Sequence, residues 1–259
     1  MADGSRPVSS VRANCSDAEW QARQSLAATY RIFDHFGWYE LIFNHITLRV
    51  PGPEHHFLIN PYGLWYREVT ASNLVKVDLD GNIIGDSEWG INPAGYVIHS
   101  AIHAAREDAH CVMHTHSTTG VAVACQAAGL SRDNFYGAII GDRVAYHDFE
   151  GVTCDADEKT RLVANLGEKN YMILRSHGLL TCGHTAAAAF QRIWTLQRAC
   201  DVQMMAQQSG QPIIPVTQAI VDRSQGVMDN FEGEGATAAD RIFEALVREI
   251  DRKDTSWRD

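Results

Sequence analysis

Two histidines, His114 and His116, are separated by one threonine in the segment CVMHTH, residues 111–116. In an extended strand, residues two apart face the same side. Val112, His114 and His116 would then share one face, with Cys111, Met113 and Thr115 on the other. Two imidazoles on one face of a rigid strand can grip one metal ion. In a chain with twelve histidines, the same pair also fits two unrelated residues. A second element is Arg175-Ser176-His177-Gly178, which follows the apolar run YMIL and sets His177 at the end of a buried strand. Gly178 permits a sharp turn or a close backbone approach. A third histidine there could complete a three-histidine site with an open position, the arrangement of a catalytic rather than a structural metal. The alternative is a satisfied, partly buried imidazole at a turn.

The elements that must position these residues are legible as periodicity. Ser16 and Glu19 form an S-x-x-E capping box ahead of a helix that carries Trp20, Leu26, Ala27, Tyr30 and Phe33 and stops at Gly37. Strands are expected over 40–50 and 55–60, followed by a hairpin of 74–79 and 82–84 about Asp80-Gly81. Then come a helix over 94–106, the strand 111–116, a helix over 118–129 and a strand over 143–149. A helix over 157–167 leads to two strands, 170–178 and 179–183, and to a long alanine-rich helix, 185–208, that Thr185 can cap. Residues 209–215 form a linker, and 238–253 an amphipathic helix with acidic residues early and basic ones late. The mixed order predicts a mainly antiparallel central sheet flanked by helices. It divides into a flexible lead (1–15), one main domain (16–209) and a C-terminal helical extension (210–259) suited to packing on a neighbouring subunit.

Composition narrows the partners. A chain of 259 residues can bury a full core, and 45% hydrophobic residues is ordinary for a globular protein. A net charge of −10 argues against a nucleic-acid partner, which favours a basic stripe. No apolar run approaches the roughly 20 residues that span a bilayer, and the polar N-terminus, which includes Pro7, lacks a signal-peptide core. Cys15, Cys111, Cys125, Cys154, Cys182 and Cys200 form no close pair. They read as small core residues of a reducing compartment, with the cytoplasm as the expected location.

The stretch GYVIHSAIHAAREDAHCVMHTHS, followed by MILRSHGLLTCGHTAAAAF, resembles class II aldolases and adducin head domains over roughly residues 18–208. The resemblance implies a three-layer α/β/α sandwich with a mostly antiparallel sheet. It implies one divalent metal ion on His114, His116 and His177, with zinc expected first and manganese or iron as alternatives. It also implies a homotetramer with the active site at a subunit interface.

Departures from the aldolase pattern bear on the substrate. Sugar-phosphate aldolases carry an SSEW segment whose glutamate is the acid/base and whose serines help hold phosphate. Alignment on His99 and the H-x-H pair puts Pro93, Ala94 and Gly95 at those positions, so the glutamate is missing. Ser87-Glu88-Trp89 has the motif's look but lies seven residues early, where Glu88 fits a solvated surface carboxylate. The family's glycine-asparagine is Asn44-His45 here, and its T-x-T-G turn is Asn60-Pro61-Tyr62-Gly63. These substitutions, with NHITLRV, INPAG and INPYGLWYREV, look like the adducin branch. Asn44, Tyr62 and Gly63 are thus candidate substrate-binding positions. His45 is a candidate proton carrier or substrate ligand, or else bonds within the sheet. Tyr136, in DNFYGA, falls near a tyrosine that protonates the leaving group in aldolases, though Phe135 could take that position and interface packing is the alternative. His99 is expected to pack on the apolar side of its helix, and His55, His56 and His103 have no evident partner.

The leading functional expectation is a metal-dependent lyase that makes or breaks a carbon–carbon bond next to a carbonyl through a stabilised enolate. The absent glutamate favours a decarboxylase, or an aldolase acting on a small non-phosphorylated oxo-acid or hydroxy acid. A non-haem iron oxygenase on the same three histidines and a non-catalytic adducin-like scaffold are the alternatives.

Overall fold

The computed structural model describes residues 10–151, 156–231 and 237–259. Cys154 and Pro7 lie outside the described residues, as does most of the N-terminal lead. The strands are β1 (Ile46–Arg49), β2 (Phe57–Ile59), β3 (Val75–Val77), β4 (Cys111–Thr115), β5 (Val144–His147), β6 (Tyr171–Leu174) and β7 (Gly178–Gly183). The helices are α1 (Ser10–Ala13), α2 (Asp17–Phe36), α3 (Pro93–Ala105), α4 (Thr118–Ala124), α5 (Phe135–Ile140), α6 (Ala156–Leu166), α7 (Ala186–Gln208), α8 (Gln218–Phe231) and α9 (Ala238–Asp251). The seven strands form one sheet in the order β3-β2-β1-β4-β7-β6-β5. Neighbours are antiparallel except the parallel pair β5–β6, so the sheet is mixed.

Alternation along the strands sorts the side chains into two layers. Ile46, Leu48, Cys111, Met113, Ile173 and Leu179 face a core shared with Leu26 and Phe33 of α2 and with Phe190 and Leu196 of α7. The opposite face carries Val112, Met172, Leu180 and Cys182 against Ile98 and Ile102 of α3 and Leu162 of α6. Phe57, Ile59, Val75 and Val77 continue that second layer against Tyr96. Helices therefore cover both faces, as expected of a three-layer sandwich.

Several local expectations change. The Ser16 hydroxyl accepts from the Glu19 N–H at 3.1 Å, but the Glu19 carboxylate turns instead to Arg23 and Lys76, each at 2.9 Å. Only half of the capping box forms, because two cations outbid one backbone N–H. Gly37 ends α2 in the left-handed conformation, φ +70°, as its position required. The strand expected over 40–50 begins only at Ile46, so residues 40–45 are free to border the site. The hairpin about Gly81 shrinks to one bridge, Val77 to Ile83. The short α5 and the longer α8 were not anticipated, and α8 packs on α5. In the C-terminal segment, α9 packs on α2 and α7, and Trp257 is buried in the main core. Cys125 is exposed, unlike buried Cys111, Cys182 and Cys200. No helix among the described residues is long and apolar enough to cross a membrane.

Candidate metal centre

The pairing of β4 with β7 fixes the first histidine. His114 faces the α3 layer opposite Leu180, and its Nδ1 lies 2.8 Å from the Leu179 carbonyl oxygen. A carbonyl can only accept, so Nδ1 donates, and a neutral ring then leaves Nε2 bare as a metal ligand. His116, one residue beyond β4, brings its Nε2 to 2.7 Å from that atom. His177 enters from the turn between β6 and β7, its ring centroid 4.8 Å from that of His114 and 4.7 Å from that of His116. One ring nitrogen from each histidine lies within 4.8 Å of the others.

The turn that delivers His177 is unusual. Ser176 adopts φ +54°, a left-handed conformation that costs a non-glycine residue energy unless its surroundings hold it there. Its N–H donates to the Ala124 carbonyl, and that of His177 donates to the Leu174 carbonyl. At Gly178, a Cβ would come within 2.3 Å of the Thr115 carbonyl oxygen and 3.1 Å of the His116 ring. Only glycine lets β7 begin so close to the H-x-H segment.

Burial, then the mutual repulsion of the rings, holds His114 well below the ordinary histidine range and brings His177 down to about 4. Burial lowers His116 as well, opposed by the nearby Glu40 carboxylate. The three rings are thus neutral at neutral pH, the state that metal coordination requires. Three converging neutral imidazoles, one oriented by a backbone carbonyl, fit a borderline divalent ion such as zinc.

The histidines lie at a cavity of about 660 Å³. Among the described lining residues there is no lysine or arginine, and Glu40 adds negative charge. His45 lines the cavity too, although only 4% of it is exposed. Burial and the neighbouring His116 and His177 push it down to about 3. Its Nδ1 is 2.9 Å from the His99 Nε2. Tyr62 also lines the cavity. Asn44 is buried with its Oδ1 unpartnered among the described residues, but neither it nor the exposed Gly63 is part of the lining. Tyr136 is not brought to its own chain's cavity. It packs edge-on against Trp194, beneath the Arg198 guanidinium. Glu88 sits in a separate surface depression with Asn73 and Ile83 and does not line the cavity of the three histidines. Glu40, Asn92 and Phe149 line the cavity and were missed in the sequence. The signal for Glu40 was its place five residues before His45, hidden inside an apparent strand.

The family described as "Class II Aldolase and Adducin N-terminal domain" matches residues 24–204. The structure of an aldolase II superfamily protein from Pseudomonas syringae superposes with a TM-score of 0.90 at 45% identity, covering 96% of this chain and 99% of that one. An L-fuculose 1-phosphate aldolase from Glaciozyma antarctica gives a TM-score of 0.81 at 28% identity, with 93% of each chain covered. Alpha-adducin from Mus musculus is 42% identical over 262 residues, covering 95% of this chain and 35% of that protein.

Proposed function

The chain belongs to the class II aldolase and adducin family, and from that membership we propose that it is a metal-dependent lyase acting on a carbon–carbon bond next to a carbonyl. The observation that carries this reading is the convergence of His114, His116 and His177 beside an open cavity. These residues would hold one divalent ion per chain, zinc ahead of manganese or iron. When bound, the ion supplies Lewis-acid stabilisation of the enolate charge that develops as the bond breaks.

The substrate in this reading is a small oxo-acid or hydroxy acid, cleaved by decarboxylation or aldol cleavage. A sugar phosphate is disfavoured because the described lining offers no cationic side chain and includes Glu40. His45 serves as hydrogen-bond acceptor for a substrate hydroxyl where the family's glutamate is missing, and Tyr62 borders the same space. Asn44 and Gly63 act at most indirectly, by shaping the backbone around His45 and Tyr62. A tetramer with cavities shared between subunits would give Tyr136 a role in a neighbour's site, and cytoplasmic residence belongs to the same reading. Sedimentation at micromolar concentration tests the assembly.

The deciding experiment is elemental analysis of protein purified without chelator, followed by a screen of oxo-acids for carbon dioxide release and aldol cleavage. About one zinc or manganese per chain with turnover supports the lyase. Iron with substrate-dependent oxygen uptake replaces it with an oxygenase, and full turnover by metal-free protein overturns both. The alpha-adducin similarity favours one second reading, a non-catalytic scaffold, which gains if gently purified protein holds no metal.

A further inference from the structure

Behind His45, which lines the cavity, three buried side chains extend a hydrogen-bonded line that the lyase reading does not explain. His103 Nδ1 lies 2.8 Å from the Ala109 carbonyl oxygen. Its Nε2 lies 2.7 Å from the Thr47 hydroxyl, which lies 2.7 Å from His99 Nδ1. His99 Nε2 lies 2.9 Å from His45 Nδ1. His99, His103, Thr47 and His45 are all almost fully buried. The rings come from α3 and from the segment entering β1, more than fifty residues apart in sequence.

The direction of this line follows from counting protons. The Ala109 carbonyl only accepts, so His103 Nδ1 must donate. Full burial keeps His103 and His99 neutral, with both held far below the ordinary histidine range. A neutral His103 therefore has a bare Nε2, and the Thr47 hydroxyl donates its one proton to it. Thr47 can then only accept from His99 Nδ1. His99 in turn has a bare Nε2 and accepts from His45 Nδ1. The last ring is left with a bare Nε2. Reversing any single bond would set two lone pairs or two protons against each other inside the core, where neither group can turn to water instead.

A second observation places that ring. A Cβ built on Gly95 would lie 2.0 Å from both Nε2 and Cδ2 of His45. The imidazole occupies the room that any side chain at position 95 would need. Position 95 is thus left open by a glycine, and the imidazole of a histidine from another element fills the space.

We infer that Thr47, His99 and His103 are positioning residues whose one-way hydrogen bonds hold His45 as the Nδ1–H tautomer, so that its Nε2 offers a lone pair to a ligand bound beside the metal site. This deepens the lyase reading and rests on it for the ligand's chemistry. The group that meets His45 must be a donor, such as the hydroxyl of a hydroxy acid, because His45 has no proton to offer at that atom. The glycine at 95 and the histidine at 45 work as a pair, and neither would serve without the other.

The test reads tautomers rather than turnover. The full chain is labelled with 15N-histidine, and ring nitrogens are assigned by single histidine-to-glutamine variants. Long-range proton–nitrogen correlation spectra are then recorded for zinc-loaded and metal-free protein. The expected result is a bare Nε2 and a protonated Nδ1 at His45, His99 and His103 in both. Thr47→Val keeps the side chain's shape but removes the hydroxyl. It should shift His45 toward Nε2–H while zinc content stays at the wild-type level, and Thr47→Ser should restore the Nδ1–H form. Wild-type His45 protonated on Nε2, or a Thr47→Val variant with an unchanged tautomer, overturns the inference. If Thr47→Val does not fold, the wild-type and Thr47→Ser spectra still decide. A correct relay in a protein that cleaves no oxo-acid would defeat the lyase reading and leave the relay standing. A wrong tautomer in an active lyase would do the reverse.

Discussion

The two faces of strands β1 and β4 are built from alternate residues of the same few segments, yet they follow different rules. On one face Ile46, Leu48, Cys111 and Met113 meet α2 and α7 in a largely apolar contact, in which the Tyr30 hydroxyl is held by the Ile46 backbone and Asn60. On the other, Thr47 meets His99 and His103 of α3, and His114 reaches the candidate metal site. The apolar face tolerates other hydrophobic side chains of similar volume, because burial energy has no direction. The polar positions of the other face, set beside the apolar Val112, Ile98 and Ile102, tolerate almost none, because each buried donor must meet an acceptor and a single misplaced proton propagates along the line. Stability and chemistry are thus separated by the thickness of one sheet.

The sharpest way to break this contrast is to remove ligands on the polar face. His114→Ala combined with His116→Ala should take metal content from about one ion per chain to none, with turnover falling to background, as read by elemental analysis and the oxo-acid assay. On the apolar face, Leu196→Ala should cost about 2–5 kcal/mol in urea unfolding with unchanged metal content. Loss of metal in that variant would show that the faces are not independent. Gly95→Ala, which pushes His45 aside, should lower turnover on the substrate found in the screen by roughly 10- to 100-fold while metal remains bound.

The pH dependence of stability should also separate the faces. Burial brings folded His103 down to about 3, whereas the unfolded residue titrates near 6.5. Between those values the unfolded chain holds the extra proton. The contribution is therefore complete above pH 6.5 and is lost progressively as pH falls toward 3. His103→Gln should flatten the acid limb of a stability–pH curve by about 1.4 kcal/mol per pH unit, and an unchanged slope would contradict a neutral, buried His103. The smallest effect belongs to the surface. Asp254, held down to about 2 by Ser256 and Arg31, is half exposed, and Asp254→Asn should cost no more than about 1 kcal/mol in thermal unfolding.

Much of this was legible in the sequence where information is local. The H-x-H strand, the turn at His177-Gly178 and the ends of α2 and α7 depend on neighbours a few residues away. The segment 40–45 was absorbed into a strand because Leu41, Ile42 and Phe43 have strand-forming composition, and only the packing shows Phe43 bordering a cavity. The six-residue α5 is too short to display a helical period. The relay was invisible for a different reason. His99 and His103 read as an apolar-side residue and one without a partner, because their partner Thr47 comes from another element. The same holds for Gly95, whose meaning as a space for His45 depends on a contact across fifty residues.

The last turn of the chain carries a consequence for the time course of folding. Trp257 completes the core around α2, Gln24 donates to the Arg258 carbonyl at a separation of 234 residues, and Ser72 donates to the carbonyl of Asp259. At about 5–20 residues per second, a ribosome makes α2 roughly 10–50 s before Trp257 and Arg258, which close one part of its surface. During synthesis the part of α2 that α9 and Trp257 cover therefore waits uncovered, and the nascent chain exposes to the cell's chaperones a surface that the folded protein hides.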